Sequence, residues 1–156
     1  MNDAELAEWI AGSLKDYIAD RILSGEGAEL AEATAMESFA LLFPDGKPTA
    51  GHIAQKAAGE DGETVGHVWI GPQSGGDGKA WWVWDIAVLP EHRGHGYGRK
   101  LMELAEAKAA ANGARSMGLH VFGFNTVARN LYESLGYAPT SIRMSKQLNA
   151  SPSDIV

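Results

Sequence analysis

Apolar and polar positions fall into two rhythms along this chain. From 3 to 23, Leu6, Trp9, Ile10, Leu14, Tyr17, Ile18 and Ile22 recur at spacings of three and four, which predicts an amphipathic helix. Ser24-Gly25-Glu26-Gly27 breaks it. A second helix is expected over about 28–42. It carries Leu30, Ala33, Leu41 and Leu42 and ends at Phe43-Pro44-Asp45-Gly46. The two helices are expected to pack as an antiparallel pair. The rhythm then shortens to alternation. Strands are predicted at about 51–58 through Ile53, at about 63–71 through Val65, Val68 and Ile70, and at 80–89, a stretch dense in tryptophan. Between the last two, residues 71–78 are glycine-rich and too poor in apolar side chains to pack, so they read as a loop.

The second half alternates helix and strand. A helix over 97–112 shows Leu101, Leu104 and Ala105 on one face, and Asn112-Gly113 supplies a left-handed stop. A strand at 116–122 leads to a helix over about 126–135, capped by Asn125 or Thr126 and ended by Gly136. A last strand is expected at about 140–148, where Ile142, Met144 and Lys146 alternate against Arg143 and Ser145. Residues 149–156 read as a frayed tail. The strand–helix–strand unit across 80–122 demands a parallel pair with a right-handed crossover. The expected fold is therefore α+β, one domain over 1–148 with a sheet of mixed direction flanked by helices.

Composition narrows the functions. A chain of 156 residues fits one core. It contains no cysteine, which excludes disulfides, thiolate metal sites and a cysteine nucleophile. A net charge of −7 argues against broad nucleic-acid binding. No apolar run approaches the roughly 20 residues of a membrane span, and Met1-Asn2-Asp3-Ala4-Glu5 does not start like a signal peptide. A cytoplasmic protein without nucleic-acid or membrane partners is expected. The cations are uneven, however: His92, Arg93, His95, Arg99 and Lys100 cluster where glycines alternate at 94, 96 and 98.

Strand, glycine loop and helix N-terminus in succession present several free N–H groups to one anion. A kinase-type phosphate loop needs Gly-Lys-Ser/Thr, and Gly78-Lys79 is followed by Ala80. A dinucleotide loop needs G-x-G-x-x-G, and these glycines alternate without a break. The pattern that fits is Arg-x-x-Gly-x-Gly, filled by Arg93, Gly96 and Gly98. His92 and His95 have metal-ligand spacing but no carboxylate partner, so no metal is expected.

With this loop, the preceding Ile86-Ala87-Val88-Leu89-Pro90 and a second run, Asn125-Thr126-Val127-Ala128-Arg129-Asn130-Leu131-Tyr132-Glu133-Ser134-Leu135-Gly136-Tyr137, most of residues 1–148 resembles the GNAT superfamily of acetyl-CoA-dependent N-acetyltransferases. The resemblance implies a splayed mixed sheet. It also implies a β-strand before the first helix, which this sequence shows as absent or truncated. The implied reaction moves acetyl from acetyl-CoA to a primary amine of a small molecule or peptide. Attack gives a tetrahedral intermediate, and CoA thiolate leaves. A non-catalytic acyl-CoA sensor is the alternative. Many members pair, which leaves a homodimer open.

For the co-substrate, the expected contacts are the backbone of Gly94, His95, Gly96, Tyr97, Gly98 and Arg99 for pyrophosphate, with Arg93 in the motif. The strand edge of Ile86, Ala87 and Val88 takes the pantetheine arm. The Val88 N–H is placed as an oxyanion donor. Asn125 falls where relatives hold pantetheine amides, although a helix cap explains it equally well. Tyr132 matches the tyrosine that protonates the departing thiolate. An amine with pKa near 10.4 is almost wholly charged at neutral pH, so a base is useful. His120 is the preferred candidate, with Asp85 as its orienting partner or the alternative base. Trp69, Trp81, Trp82 and Trp84 read as sheet-face core or as walls of an acceptor pocket. His52 and His67 stay unassigned, as candidates to line that pocket.

Overall fold

The first helix is fixed at its start by a capping box. The Asn2 side chain accepts the Glu5 N–H and the Asn2 N–H donates to Glu5 Oε2, both at 2.9 Å. In the computed structural model, which describes residues 1–146 and 148, α1 then runs over Asp3–Leu23 and α2 over Ala28–Leu42. The strands are β1 (Ile53–Ala58), β2 (Thr64–Pro72), β3 (Ala80–Val88) and β4 (Ser116–Leu119). Helix α3 (Tyr97–Ala111) joins β3 to β4, and α4 (Thr126–Ser134) follows. The expected helix ends agree to within a residue or two, and Gly113 and Gly136 take left-handed φ as the stops.

The sheet has four strands in the order β1-β2-β3-β4. The pairs β1–β2 and β2–β3 are antiparallel and β3–β4 is parallel. This is the α+β fold with a mixed sheet that the sequence predicts. Its two faces differ. On one, α3 lays Met102, Ala105 and Ala109 against Val68, Ile70, Trp81 and Val83, with Tyr132, Leu135 and Tyr137 of the α4 region packed alongside. On the other, α1 and α2 bring Trp9, Phe39 and Phe43 onto Trp69, whose ring centroid lies 4.5 Å from that of Phe43.

One irregularity in β3 positions the site. Trp69 pairs with Asp85 and the next residue, Ile70, pairs with Val83, so Trp84 is the extra residue of a bulge. A bulge bends its strand and shifts the alternation by one. Trp81 and Val83 face α3. Trp84 and Asp85, adjacent in sequence, both meet groups of the α1–α2 face: Trp84 stacks on Trp69 and His52, and Asp85 bonds Ser13 of α1. Ile86 faces α3 again.

Three expectations change. The apolar face of α2 is not Leu30, Ala33 and Leu41. Leu30 and Leu41 are 61% and 74% exposed, while Ala31 and Ala35 are fully buried and Phe39 meets Tyr17 and Trp69. Small residues allow α2 to approach closely, and a hydropathy pattern undervalues them. The strand expected at 116–122 stops at Leu119, because beyond the bulge β3 no longer offers β4 a ladder. The strand expected at 140–148 is not formed over the described residues. They join no sheet, and Ile142 and Met144 are 76% and 88% exposed. Alternation alone does not make a strand when no neighbouring edge supplies bonds. The tail at 149–156 lies outside the described residues.

Candidate active site

Strands β3 and β4 run together for a short stretch and then part. Their pairing starts at Ala80–Ser116 and ends at Val83–Leu119, whereas β3 continues to Val88. The Leu89 N–H donates to the Val65 carbonyl of β2 at 2.9 Å. Bonded pairs recur at every second residue of an antiparallel ladder. Ala87 and Asp85 therefore turn their backbone groups toward β2, and Ile86 and Val88 turn theirs toward the open edge beside β4. The Val88 carbonyl on that edge accepts Arg93 Nε at 3.1 Å, which ties the loop to the strand end.

The loop follows directly. Gly94 and Gly96 have φ of 79° and 80°, a region that L side chains rarely adopt, and a Cβ at either would meet nothing within 4 Å. The backbone N–H groups from Gly94 to Arg99 find no acceptor among the described residues. The series of helix bonds opens with the Lys100 N–H to the Gly96 carbonyl at 3.3 Å. An N-terminus with its amides free carries about half a positive charge. At Gly98 the constraint is packing: a Cβ there would stand 3.1 Å from Leu131 Cδ2, so the missing side chain lets α3 lie close to α4. The Arg99 side chain bonds Ser134 Oγ at 2.7 Å and joins the same two helices. The arrangement is a polar notch fit for a diphosphate, opening onto an unpaired strand edge fit for an extended amide chain. That is the fit a CoA ester requires.

Across the fork stands α4. Asn125 caps it, its Oδ1 accepting the Ala128 N–H at 3.1 Å, and its amide nitrogen has no partner among the described residues. Tyr132 is half-buried. Burial raises its phenol pKa above the ordinary value, and the negative charge of Asp85 raises it further. Asp85 lies on the α1–α2 face just past the last β3–β4 pair, its side chain 26% exposed. Its Oδ2 accepts Ser13 Oγ–H at 2.7 Å and lies 3.1 Å from His67 Nε2. Asp20 of α1 is close enough to respond: burial raises its carboxyl pKa, and Asp16 and Asp85 add to the rise.

The chain itself matches a known family. The sequence model of the acetyltransferase (GNAT) family matches residues 19–137, more than half of the chain. The chain belongs to the GNAT family of acetyltransferases. It is 28% identical over 149 residues to the uncharacterized N-acetyltransferase YycN of Bacillus subtilis, covering 95% of this chain and 96% of that one. The crystal structure of YycN superposes with a TM-score of 0.87 over 95% of each chain. A streptothricin acetyltransferase of Streptomyces lavendulae is 32% identical over 147 residues, covering 87% of this chain and 77% of its own length. The aminoglycoside N-acetyltransferase AAC(6')-Iy, solved in complex with CoA, shares the fold, with a TM-score of 0.53 at 16% identity over 74% of this chain and 87% of its own.

Within this GNAT chain the expected site residues divide into groups. Ile86, Ala87 and Val88 lie on β3 past the last β3–β4 pair, Arg93 to Arg99 form the loop and the start of α3, and on α4 Asn125 caps the helix while Tyr132 packs against the α3-side core. His120 is not brought to Asp85. It is exposed, its ring edge rests on Phe122 at 5.1 Å, and it makes no hydrogen bond among the described residues. Trp69 and Trp81 are buried core, on opposite faces. Trp84 stacks on Trp69 and on His52. His52 accepts the Trp69 indole N–H at 3.2 Å, a structural bond. Sequence reasoning missed Ser13 and left His67 without a role. A signal existed for each: Ser13 is a polar residue inside the apolar stripe of α1, and His67 becomes a same-face diagonal neighbour of Asp85 once β2 and β3 are put in register.

Proposed function

We propose that this GNAT protein transfers an acetyl group from acetyl-CoA directly to a primary amine, and that residues 1–148 act as one catalytic unit. The observation that carries the reading is the fork. The ladder ends at Val83–Leu119, and the free edge of β3 leads straight to the unbonded amides of Gly94 to Arg99. Acetyl-CoA supplies a thioester whose carbonyl the amine attacks and whose thiolate leaves.

In this reading, the amides of Gly94, His95, Gly96, Tyr97, Gly98 and Arg99 hold the pyrophosphate with the help of the α3 N-terminus. The edge of Ile86, Ala87 and Val88 holds the pantetheine arm as an added strand. The N–H of Val88, and that of Ile86 one ladder step deeper, are the donors available to a developing oxyanion. The free Asn125 amide nitrogen donates to the arm while its oxygen caps α4. Tyr132 donates its proton to the leaving thiolate; its raised pKa keeps the phenol protonated throughout the neutral range. A base takes the proton of the attacking amine; of the two candidates Asp85 stands on β3 with bonded partners, whereas His120 lies past the end of β4 and makes no hydrogen bond among the described residues.

The acceptor is a small-molecule or peptide amine. The names of the streptothricin and aminoglycoside acetyltransferases among the relatives support a small molecule. The test is thiol release from acetyl-CoA across a panel of polyamines, amino acids, amine antibiotics and short peptides, alongside calorimetry with acetyl-CoA. Binding with amine-dependent release supports the proposal. Binding with no release for any amine favours the sensor, and no heat at all overturns both.

A further inference from the structure

The sequence prefers His120 as the base, with Asp85 as its orienting partner or the alternative; the geometry points to Asp85. We propose that Asp85 removes the proton of the acceptor ammonium through its Oδ1, and that Ser13 and His67 are positioning residues that hold its other oxygen. The inference rests on the acetyltransfer reading and deepens it.

Both protein bonds to Asp85 fall on the same oxygen. Ser13 Oγ–H reaches Oδ2 at 2.7 Å from α1, and His67 Nε2 lies 3.1 Å from Oδ2 on β2. Oδ1 has no partner among the described residues, and the side chain is only partly covered. A carboxylate held by one oxygen from two directions cannot rotate freely, so its second oxygen has a fixed aim. A group that receives a proton in a transition state depends on such aim. The donors are themselves held. The His67 ring has the Trp9 indole at 5.5 Å in an edge arrangement, and Ser13 lies one helical turn beyond Trp9 on the same face of α1. Because Asp85 accepts, His67 presents Nε2–H to it, and the ring orients the acid rather than receiving the proton.

Asp85 also stands in the right place. It is one step from Ile86, whose N–H faces the open edge, and it lies on the α1–α2 face, whereas Tyr132 packs on the α3 face. The proton donor to the thiolate and the proton acceptor from the amine thus come from opposite faces of the sheet. His120 has no comparable support: it is exposed and makes no hydrogen bond among the described residues that would fix its ring. Each turnover balances: the ammonium gives one proton to Oδ1 of Asp85, the amine nitrogen bonds to the acetyl carbon as the carbon–sulfur bond breaks, and Tyr132 gives one proton to sulfur. The second amine proton leaves to water, Asp85 then gives up its own proton to water, and water reprotonates Tyr132.

The experiment compares Asp85→Asn, Ser13→Ala, His67→Phe, His67→Gln and His120→Ala in full-length protein, with an amine turned over by the parent. Melting curves and acetyl-CoA calorimetry establish that each variant folds and binds. Asp85→Asn is expected to lower kcat by about 10²-fold or more with KM for acetyl-CoA unchanged. His67→Phe is expected to lower kcat roughly tenfold. His67→Gln, which keeps a side-chain N–H at similar reach, is expected to restore most of that loss, a rescue that a packing role would not show. Ser13→Ala costs a few-fold, and His120→Ala leaves kcat near the parent value. Full activity of Asp85→Asn, or collapse of His120→Ala alone, overturns the proposal while leaving acetyltransfer intact. Failure of Gln to rescue overturns the role of His67. If the parent acetylates no amine, the functional reading itself fails and this inference falls with it. A separate readout is nitrogen-15 NMR of the histidines: the Nε2–H signal of His67 should change in Asp85→Asn, and an unchanged signal shows that the bond is not made.

Discussion

One face of this sheet is mainly aliphatic, with Trp81 and the tyrosines of the α4 region as its aromatic members, and the other is aromatic and polar, although the same strands build both. Under α3, Val68, Ile70, Val83, Met102 and Ala105 interlock with hardly a polar atom among their side chains. Under α1 and α2, rings stack on rings, and hydrogen bonds thread between them: Trp69 to His52, Ser13 to Asp85, and His67 beside Asp85. The first arrangement stabilises by area removed from water, which needs no direction. The second spends part of its area on groups that must point somewhere. The fold therefore rests chiefly on one face and the candidate chemistry on the other, with Tyr132, packed on the aliphatic side, as the exception.

The comparison is most easily broken from the aliphatic face. Met102→Ala is expected to cost about 2–5 kcal/mol in urea unfolding, with acetyl-CoA affinity of the folded protein unchanged. A negligible loss would mean that this face is not the foundation. Tyr132→Phe keeps the ring and removes the hydroxyl. It is expected to lower turnover by about 10²-fold with little change in melting temperature, and a large drop in melting temperature would make Tyr132 a packing residue.

The two faces should also fail at opposite ends of the pH scale. On the aliphatic side, burial raises the phenol pKa of Tyr132 and Tyr137, the second also through its 3.0 Å bond to Glu106. An unfolded tyrosine ionises near pH 10. The stability these phenols contribute is complete below that pH and falls as pH rises above it, because the unfolded chain releases protons that the folded one keeps. On the aromatic side, burial lowers the pKa of His52, whose Nδ1 must stay unprotonated to accept from Trp69. An unfolded imidazole protonates near pH 6.5, so stability falls as pH drops below that value toward the depressed folded one. Melting curves from pH 5 to 11 test both, and His52→Gln should flatten the acid limb only. The smallest effect is expected at Asp20, where burial and the charges of Asp16 and Asp85 disfavour the carboxylate. Asp20→Asn should raise the melting temperature slightly at neutral pH.

How much of this was legible follows from how local each signal is. The helices are readable because a capping residue, a period and a stop all lie within a few turns. The notch from Gly94 to Arg99 is readable because its glycines are contiguous. The Ser13–Asp85 bond joins residues 72 positions apart, and no local pattern predicts such a pair. The buried side of α2 is carried by alanines, which periodicity weighs less than the leucines it leaves in water. The segment 140–148 has the alternation of a strand but lacks an edge to join. The preference for His120 came from the resemblance, whereas the partners of Asp85 come from the register of β2 against β3, which only the folded sheet supplies.

The surplus tryptophan in β3 sets the parity of the strand. Up to Val83 the odd-numbered positions look toward α3; after the insertion the even-numbered ones do. Were Trp84 instead to take a regular place in the ladder opposite Trp69, the carboxylate of Asp85 would swing in among the aliphatic side chains and the amides of Ile86 and Val88 would turn inward toward β2. A single residue left out of the pairing therefore separates a strand that can only hold a domain together from one that can also hold a reaction.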